Sequence, residues 1–275
     1  MIIISELFNT VLVNPFINIL VAIYKGLSLI GVPYSLGFSI IVLTVVIRFI
    51  IYPFTRSQLL TSKKMQDLAP HISNLKTAHK NDSKRLQAET MKLYKEHGIN
   101  PASGCLLLLI QMPIIYGLYA VLNKVVHLPA AKVVSEINSI LYFKAIHLTH
   151  TWNPSFFGLP LGDSPSQLIS GIGPLILLVP IITGVLQFAQ SKMMLPALSK
   201  APTDKKNDDF ASAFQSQSTY LFPIMIGFFS FKFPIGLSLY WNTFSLFGII
   251  QQYQVSGLGG LKIPSILQKK NDKKK

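Results

Sequence analysis

The stretch LGFSIIVLTVVIRFIIYPF, residues 36–54, holds a single ion, Arg48, in an otherwise apolar run. About 20 mostly apolar residues carry a helix across a bilayer, so this stretch reads as a membrane span with an arginine beyond its middle. Four more windows read the same way. SGCLLLLIQMPIIYGLYAVLN (103–123) ends a run without charge from residue 98, and GPLILLVPIITGVLQFAQ (173–190) lies in the uncharged stretch 164–191. A short fourth window, 219–231, extends backwards through uncharged FASAFQSQS, and a fifth is uncharged from residue 233 to 261. The composition agrees: the 275 residues are 50% hydrophobic and 13% charged, with mean hydropathy +0.44, where a soluble domain carries about 25% charge. A disordered chain is excluded on the same ground. One cysteine, Cys105, rules out a disulfide framework and a cysteine metal cluster, and its apolar run makes it a small core residue.

A sixth apolar segment, residues 7–24, has a different pattern. At 100° per residue, Thr10, Asn14, Asn18, Lys25 and Ser28 fall in one arc of about 80°. That pattern suits an amphipathic helix in the membrane interface, with Pro15 tolerated or kinking it. A cleaved signal peptide or an extra span is the alternative, although MIIISEL supplies no basic leader and no small-residue cleavage site follows.

The 25 Lys and Arg against 11 Asp and Glu give a net charge of +14 and a pI near 9.8. On a soluble protein this excess would suggest nucleic acid. Here nineteen of the basic residues lie between spans one and two (Arg56, Lys63, Lys64, Lys76, Lys80, Lys84, Arg85, Lys92, Lys95), after span three (Lys192, Lys200, Lys205, Lys206), or in the tail from Lys262. With five spans these segments share one side, which the positive-inside rule makes the cytoplasm. Lys25, Lys124, Lys132, Lys144 and Lys232 are left outside with the N-terminus.

The expected architecture is therefore an all-α membrane protein: an interfacial helix and lead-in (1–35), spans at 36–55, 103–126, 169–191, 218–232 and 233–255, and intervening cytoplasmic and external segments. Residues 56–102 are read as a cytoplasmic antiparallel helical hairpin. Met65, Leu68, Ile72 and Leu75 form a coiled-coil-like seam, KNDS (80–83) a turn, and Leu86 and Leu93 stand on a second polar arm. GINPASG (98–104) stops the hairpin with a C-cap glycine and a proline turn. The external loop (127–168) is amphipathic and then turn-rich. Its His127, His147 and His150 have no carboxylate at ligand spacing and read as surface histidines. The second cytoplasmic loop (192–217) and the basic tail (256–275) have mobile composition, and the tail's positive block suits anionic lipid or RNA.

Arg48 is the informative residue. An arginine at the bilayer centre costs about 2.5–3.5 kcal/mol even on the mildest scale, and no Asp or Glu lies in any of the five spans to pair with it. It must face a hydrated cavity, lean toward the cytoplasmic headgroups, or await an acidic group. Snorkelling toward those headgroups, eight residues before Arg56, is the plainer reading. Against it stand polar groups for a shared cavity: Thr44 one turn from Arg48, Gln111 in span two, Gln187 and Gln190 in span three, and Tyr240, Trp241 and Asn242 in span five. Singly each reads as a helix-helix hydrogen bond. Together with an unpaired arginine they suggest a polar groove open to the cytoplasm and too shallow for a pore.

LGFSIIVLTVVIRFIIYPFT, LYKEHGINPASGC, LIQMPIIYGLY and FPIGLSLYWNTFSLFGIIQQ, in this order across residues 37–252, resemble the signature segments of the YidC family of membrane protein insertases. The resemblance implies a five-span core with a hydrophilic groove closed toward the outside. In it Arg48 receives polar or acidic parts of an incoming segment, with Thr44 one turn earlier, Gln190 on span three and Trp241 greasing the exit. It also implies a bacterial cytoplasmic membrane location, nascent membrane protein clients, a hairpin that meets clients or targeting factors, a tail that touches ribosomal RNA, and work alone as a monomer or beside a Sec translocon. The large periplasmic domain of some relatives and the lipoprotein cysteine of others have no counterpart here, and the external loop is longer than usual.

No nucleotide motif, catalytic triad or metal constellation is present. The expectation is an insertase that is not an enzyme, uses no cofactor, contacts membrane lipids and binds no DNA. The rival from another class is a small-solute or anion transporter that binds its cargo at Arg48. Five spans without a detectable repeat speak against it, because transporters commonly show inverted halves.

Overall fold

The computed structural model describes residues 2–79, 82–100, 103–194 and 210–261. The tail from residue 262, residues 195–209 of the expected second cytoplasmic loop, the first half of KNDS and Pro101-Ala102 lie outside the described residues. So do the side chains of 103–110, Cys105 included, and of 210–218.

The described chain is helical apart from one short strand pair. α1 (Ile2–Phe8) continues through a π-helical turn (Asn9–Val13) into α2 (Asn14–Leu29). Pro15 explains the turn. Its ring cannot donate to Val11 and crowds that carbonyl, and the wider π turn absorbs the missing bond. Ser5–Leu29 is long and apolar enough to cross a membrane, as is Pro174–Met194. The polar arc of this first helix is turned onto the protein: Asn18 is buried, donates to Asn14 and Ile140 carbonyls and accepts from the Tyr142 N–H. Lys25 Nζ donates to the Ala145 and His147 carbonyls. The arc serves as a seat for the 127–168 segment.

α3 (Ser35–Ile50) holds Arg48 in its last turn. α4 (Tyr52–Asp67) follows after a break at Ile51, bent by 66° from α3. Pro53, at the start of α4, cannot donate to the Phe49 carbonyl and would clash with it, so the span cannot run straight on. Where the seam predicts one arm, the helix breaks at Leu68: Met65 lies on α4, Ile72 and Leu75 lie on α5 (Ala69–Ala78), which has Pro70 in its first turn, and α5 packs against α6 (Ser83–Glu96). Asp82 caps α6 by accepting from the Arg85 N–H at 3.0 Å. α7 (Ser103–Val126) contains Pro113.

The 127–168 segment, expected to be an external loop, is built rather than slack. It contains α8 (Ala130–Asn138), a two-residue strand pair (Ser155–Phe156 with Leu159–Pro160) and α9 (Pro165–Ile172). The hairpin turn puts both Phe157 and Gly158 at positive φ, +50° and +82°, the geometry that matches strand twist. Phe156 then lies on Gly37 of α3, where any Cβ would run into its ring. Trp152 is buried, donates to the Val125 carbonyl at 2.9 Å and meets Tyr24 edge-on at 5.5 Å. Trp152→Phe keeps an aromatic face toward Tyr24 but deletes the donor and the fused half of the indole, so it should cost about 1–3 kcal/mol and lower the melting midpoint by several degrees, about 2–4 °C per kcal/mol. An unchanged midpoint would show that this bond does not hold the loop.

α10 (Leu178–Met194), α11 (Phe210–Lys232) and α12 (Ile235–Ser256) complete the bundle. α12 lies between α3 and α10 and also touches α4 and α7. Eleven of its 22 residues are buried, which identifies it as the central helix. Its first free N–H groups are met by the 127–168 segment, Ile235 donating to Asp163 and Gly236 to Leu161, both at 2.9 Å. A hydroxyl cluster links three helices: Ser230 Oγ lies 3.1 Å from Thr183 and 2.8 Å from Ser238. At the opposite end Gln66 of α4 donates to the Met193 carbonyl at 3.1 Å.

Candidate functional site

α12 presents Tyr240, Phe244, Gly248 and Gln251 at spacings of four, four and three, one stripe along one helix face. Arg48 is laid against this stripe and is 1% exposed. Its Nε donates to the Phe244 carbonyl at 3.1 Å, Nη2 donates to the same oxygen, and Nη1 reaches Gln251 Oε1 at 3.4 Å. The guanidinium carbon stands 3.4 Å from the centroid of the Phe244 ring. Charge-assisted hydrogen bonds contribute about 1.5–3 kcal/mol and a desolvated cation–π contact about 2 kcal/mol. Their sum is at least as large as the roughly 2.5–3.5 kcal/mol that the mildest scale assigns to an arginine at the bilayer centre. The charge is thus held by neutral acceptors, and none of its partners among the described residues is a carboxylate.

The expected exposure of Arg48 to a cytoplasm-open groove is not what surrounds it. The guanidinium is folded inward onto α12, where a carbonyl and an aromatic face solvate it more closely than the shallow cavity inferred from composition would. Space for it comes from Gly248. A Cβ there would overlap both Arg48 Nη2 and Gln190 Nε2, so the two donor nitrogens of α3 and α10 converge on one spot of α12.

The other expected residues divide. Gln111 Nε2 donates to the Tyr240 hydroxyl at 2.6 Å, and Tyr240 is fully buried with its ring 5.6 Å from Phe244, so both extend the Arg48 stripe toward α7. Gln187 Oε1 accepts from Ser245 of α12 at 3.2 Å and its amide lies 3.5 Å from Ser191, one turn from Gln190. Thr44 is buried but donates to its own helix, to the Ile40 carbonyl at 2.7 Å. Trp241 is 5% exposed and packs 6.3 Å from Phe233, so it belongs to the core and does not line a lipid-facing exit. Asn242 lies two residues, about 200°, from both Tyr240 and Phe244 and is not brought to Arg48. Gln111 Oε1, Asn242 Oδ1 and Gln252 Nε2 are buried polar atoms with no partner among the described residues. Such atoms are costly unless something polar reaches them.

Composition alone missed Phe244, Gly248 and Gln251. The signal was present, because the three continue the Tyr240 stripe at helical spacing, but a phenylalanine and a glycine do not announce themselves as partners of a cation.

The sequence pattern of the 60Kd inner membrane protein family matches residues 28–258. The chain is 34% identical over 243 residues to membrane protein insertase MisCA of Bacillus subtilis, covering 87% of this chain and 77% of that one. It is 32% identical over 225 residues to membrane protein insertase YidC of Fusobacterium nucleatum, covering 82% and 88%. It is also 32% identical over 254 residues to inner membrane protein ALBINO3 of Arabidopsis thaliana chloroplasts, covering 86% of this chain and 50% of the relative. The chain thus spans about half the length of the plant relatives and most of the two bacterial ones. With 231 of its 275 residues inside the family pattern, the chain belongs to the 60Kd inner membrane protein family, the YidC family.

Proposed function

We propose that this chain is a membrane protein insertase in which Arg48 receives the polar or acidic flank of a client segment. The observation that carries the reading is the state of Arg48: a full positive charge, buried, held by a backbone carbonyl and an amide, with Gln190 Nε2 beside it over Gly248. A carboxylate entering that spot would replace neutral acceptors with an opposite charge in a medium where charge interactions are strong. Displacing the Phe244 carbonyl and Gln251 is the opening step, and the unpartnered amide atoms of Gln111 and Gln252 offer further contacts to a polar chain. The client's apolar segment then leaves sideways into lipid, driven by burial of its own surface. No hydrolysis is required.

In this reading the chain crosses the membrane five times, with α3, α7, α10, α11 and α12 as spans, the N-terminus outside and the hairpin and tail in the cytoplasm, the orientation that its basic residues favour. α1 and α2 lie in the outer interface beneath the external loop. The hairpin meets clients or targeting factors, the tail meets the ribosome, and the chain works as a monomer, alone or beside a Sec translocon.

The test is reconstitution. Purified chain in liposomes, supplied with a small single-span client during translation, should yield protease-protected client well above empty liposomes. No gain over empty liposomes would reject the insertase reading.

A further inference from the structure

A second surface feature lies away from Arg48, between α10 and α11. A cleft of about 390 Å³ opens sideways there. Ile181, Val185 and Phe188 of α10 form one wall and Tyr220 and Ile224 of α11 the other. Its floor is the close approach of two backbones: a Cβ on Gly227 would stand 3.4 Å from the Pro180 carbonyl, and one on Gly184 3.5 Å from that of Pro223. Small residues are what let the helices approach so closely. The walls are exposed, Val185 at 61% and Ile224 at 70%, so the cleft opens on the outer surface of the helix bundle.

One end of this apolar cleft carries a charge. Lys192, one turn beyond Phe188, places its Nζ 5.7 Å from the centroid of the Tyr220 ring. Among the described residues no carboxylate pairs with it. From Lys192 back to Pro180 is twelve residues, about 18 Å of helix, close to the roughly 15 Å depth of one hydrocarbon leaflet. An apolar slot about one leaflet long, closed at one end by a phenol and by an ammonium with no carboxylate partner among the described residues, has the length and polarity to take one acyl chain and the phosphate of a phospholipid.

We propose that the α10–α11 cleft is a binding site for an anionic phospholipid, with an acyl chain along Val185 and Ile224 and the phosphate on Lys192. The aromatic ring orients the ammonium and leaves its N–H groups for the phosphate oxygens. The site does not rest on the insertase reading. Such a lipid would fill the seam between the two helices and hold α11 to α10.

The full chain in detergent, titrated with phosphatidylglycerol or with phosphatidylcholine of the same acyl chains, tests this by native mass spectrometry. Retention of phosphatidylglycerol should exceed that of phosphatidylcholine about fivefold, the effect of one juxtamembrane lysine. Lys192→Gln should erase the preference, and Ile224→Trp, which fills the slot, should reduce binding of both lipids. Equal retention of the two lipids by the unaltered chain overturns the proposal without any variant. A preference that survives in a Lys192→Gln chain of unchanged melting temperature overturns it too. Displacement of the lipid by millimolar inorganic phosphate would assign the site to a free anion and reject the acyl contribution.

Discussion

Gly248→Leu is expected to abolish insertion while leaving Arg48 in the chain. Even a bare Cβ at this position overlaps Arg48 Nη2 and Gln190 Nε2, and a leucine cannot be accommodated by a small shift, because Arg48 is 1% exposed and lies against Phe244. Overpacking a tight core costs about 1–3 kcal/mol, which a bundle of this size survives. The functional loss should therefore exceed the loss of stability: the chain melts lower but remains folded, and client insertion in liposomes falls to background. Gly248→Ala should lie between, since one methyl forces the guanidinium to move without expelling it. A Gly248→Leu chain that inserts at the unaltered rate would show that the convergence of Arg48 and Gln190 on this spot has no part in the activity.

Arg48→Ala is expected to reduce insertion about tenfold or more. The removal of a charge that contributes about 1.4 kcal/mol to the rate-limiting transfer is already tenfold, and in a low-dielectric site a charge pair exceeds that figure. The variant also leaves Gln251 Oε1 without its donor. It simultaneously relieves the membrane of a buried cation, so the melting temperature should move far less than the activity. Arg48→Lys separates charge from shape. Lysine keeps the charge but cannot donate in parallel to the Phe244 carbonyl and to Gln251 or spread over the Phe244 ring as the planar guanidinium does. Survival of Arg48→Lys would show that charge suffices, and its failure would assign the role to the fork.

The sequence was most legible where one physical rule dominated. Apolar length delivered the helical membrane class, whereas the Met65, Leu68, Ile72 and Leu75 seam, read as one arm, is divided between α4 and α5 at Leu68, with α6 packed against α5. The 66° bend at Ile51 followed from Pro53 but was not expected, because hydropathy windows ignore helix direction. The arc of Asn14, Asn18 and Lys25 read as a water-facing stripe, yet Asn18 and Lys25 bond the external loop. Periodicity identifies a polar face and does not say whether water or protein meets it. The site divided similarly. Arg48, Gln111, Gln190 and Tyr240 were recognisable as polar groups in apolar spans, whereas Phe244 and Gly248 act through a backbone carbonyl, a ring face and the absence of a side chain, features that residue type does not reveal. Trp241 and Asn242 stood beside Tyr240 in sequence but one and two steps around the helix, which carried them away from Arg48.

The central claim is that the Arg48 charge meets an acidic group of the client. Two single-span clients that differ only in their outer flank, one with two aspartates and one with two asparagines, can be translated in the presence of liposomes bearing the unaltered chain or Arg48→Ala. The variant should lose most of its activity on the aspartate client and several-fold less on the asparagine client. Equal losses on both clients would contradict that claim.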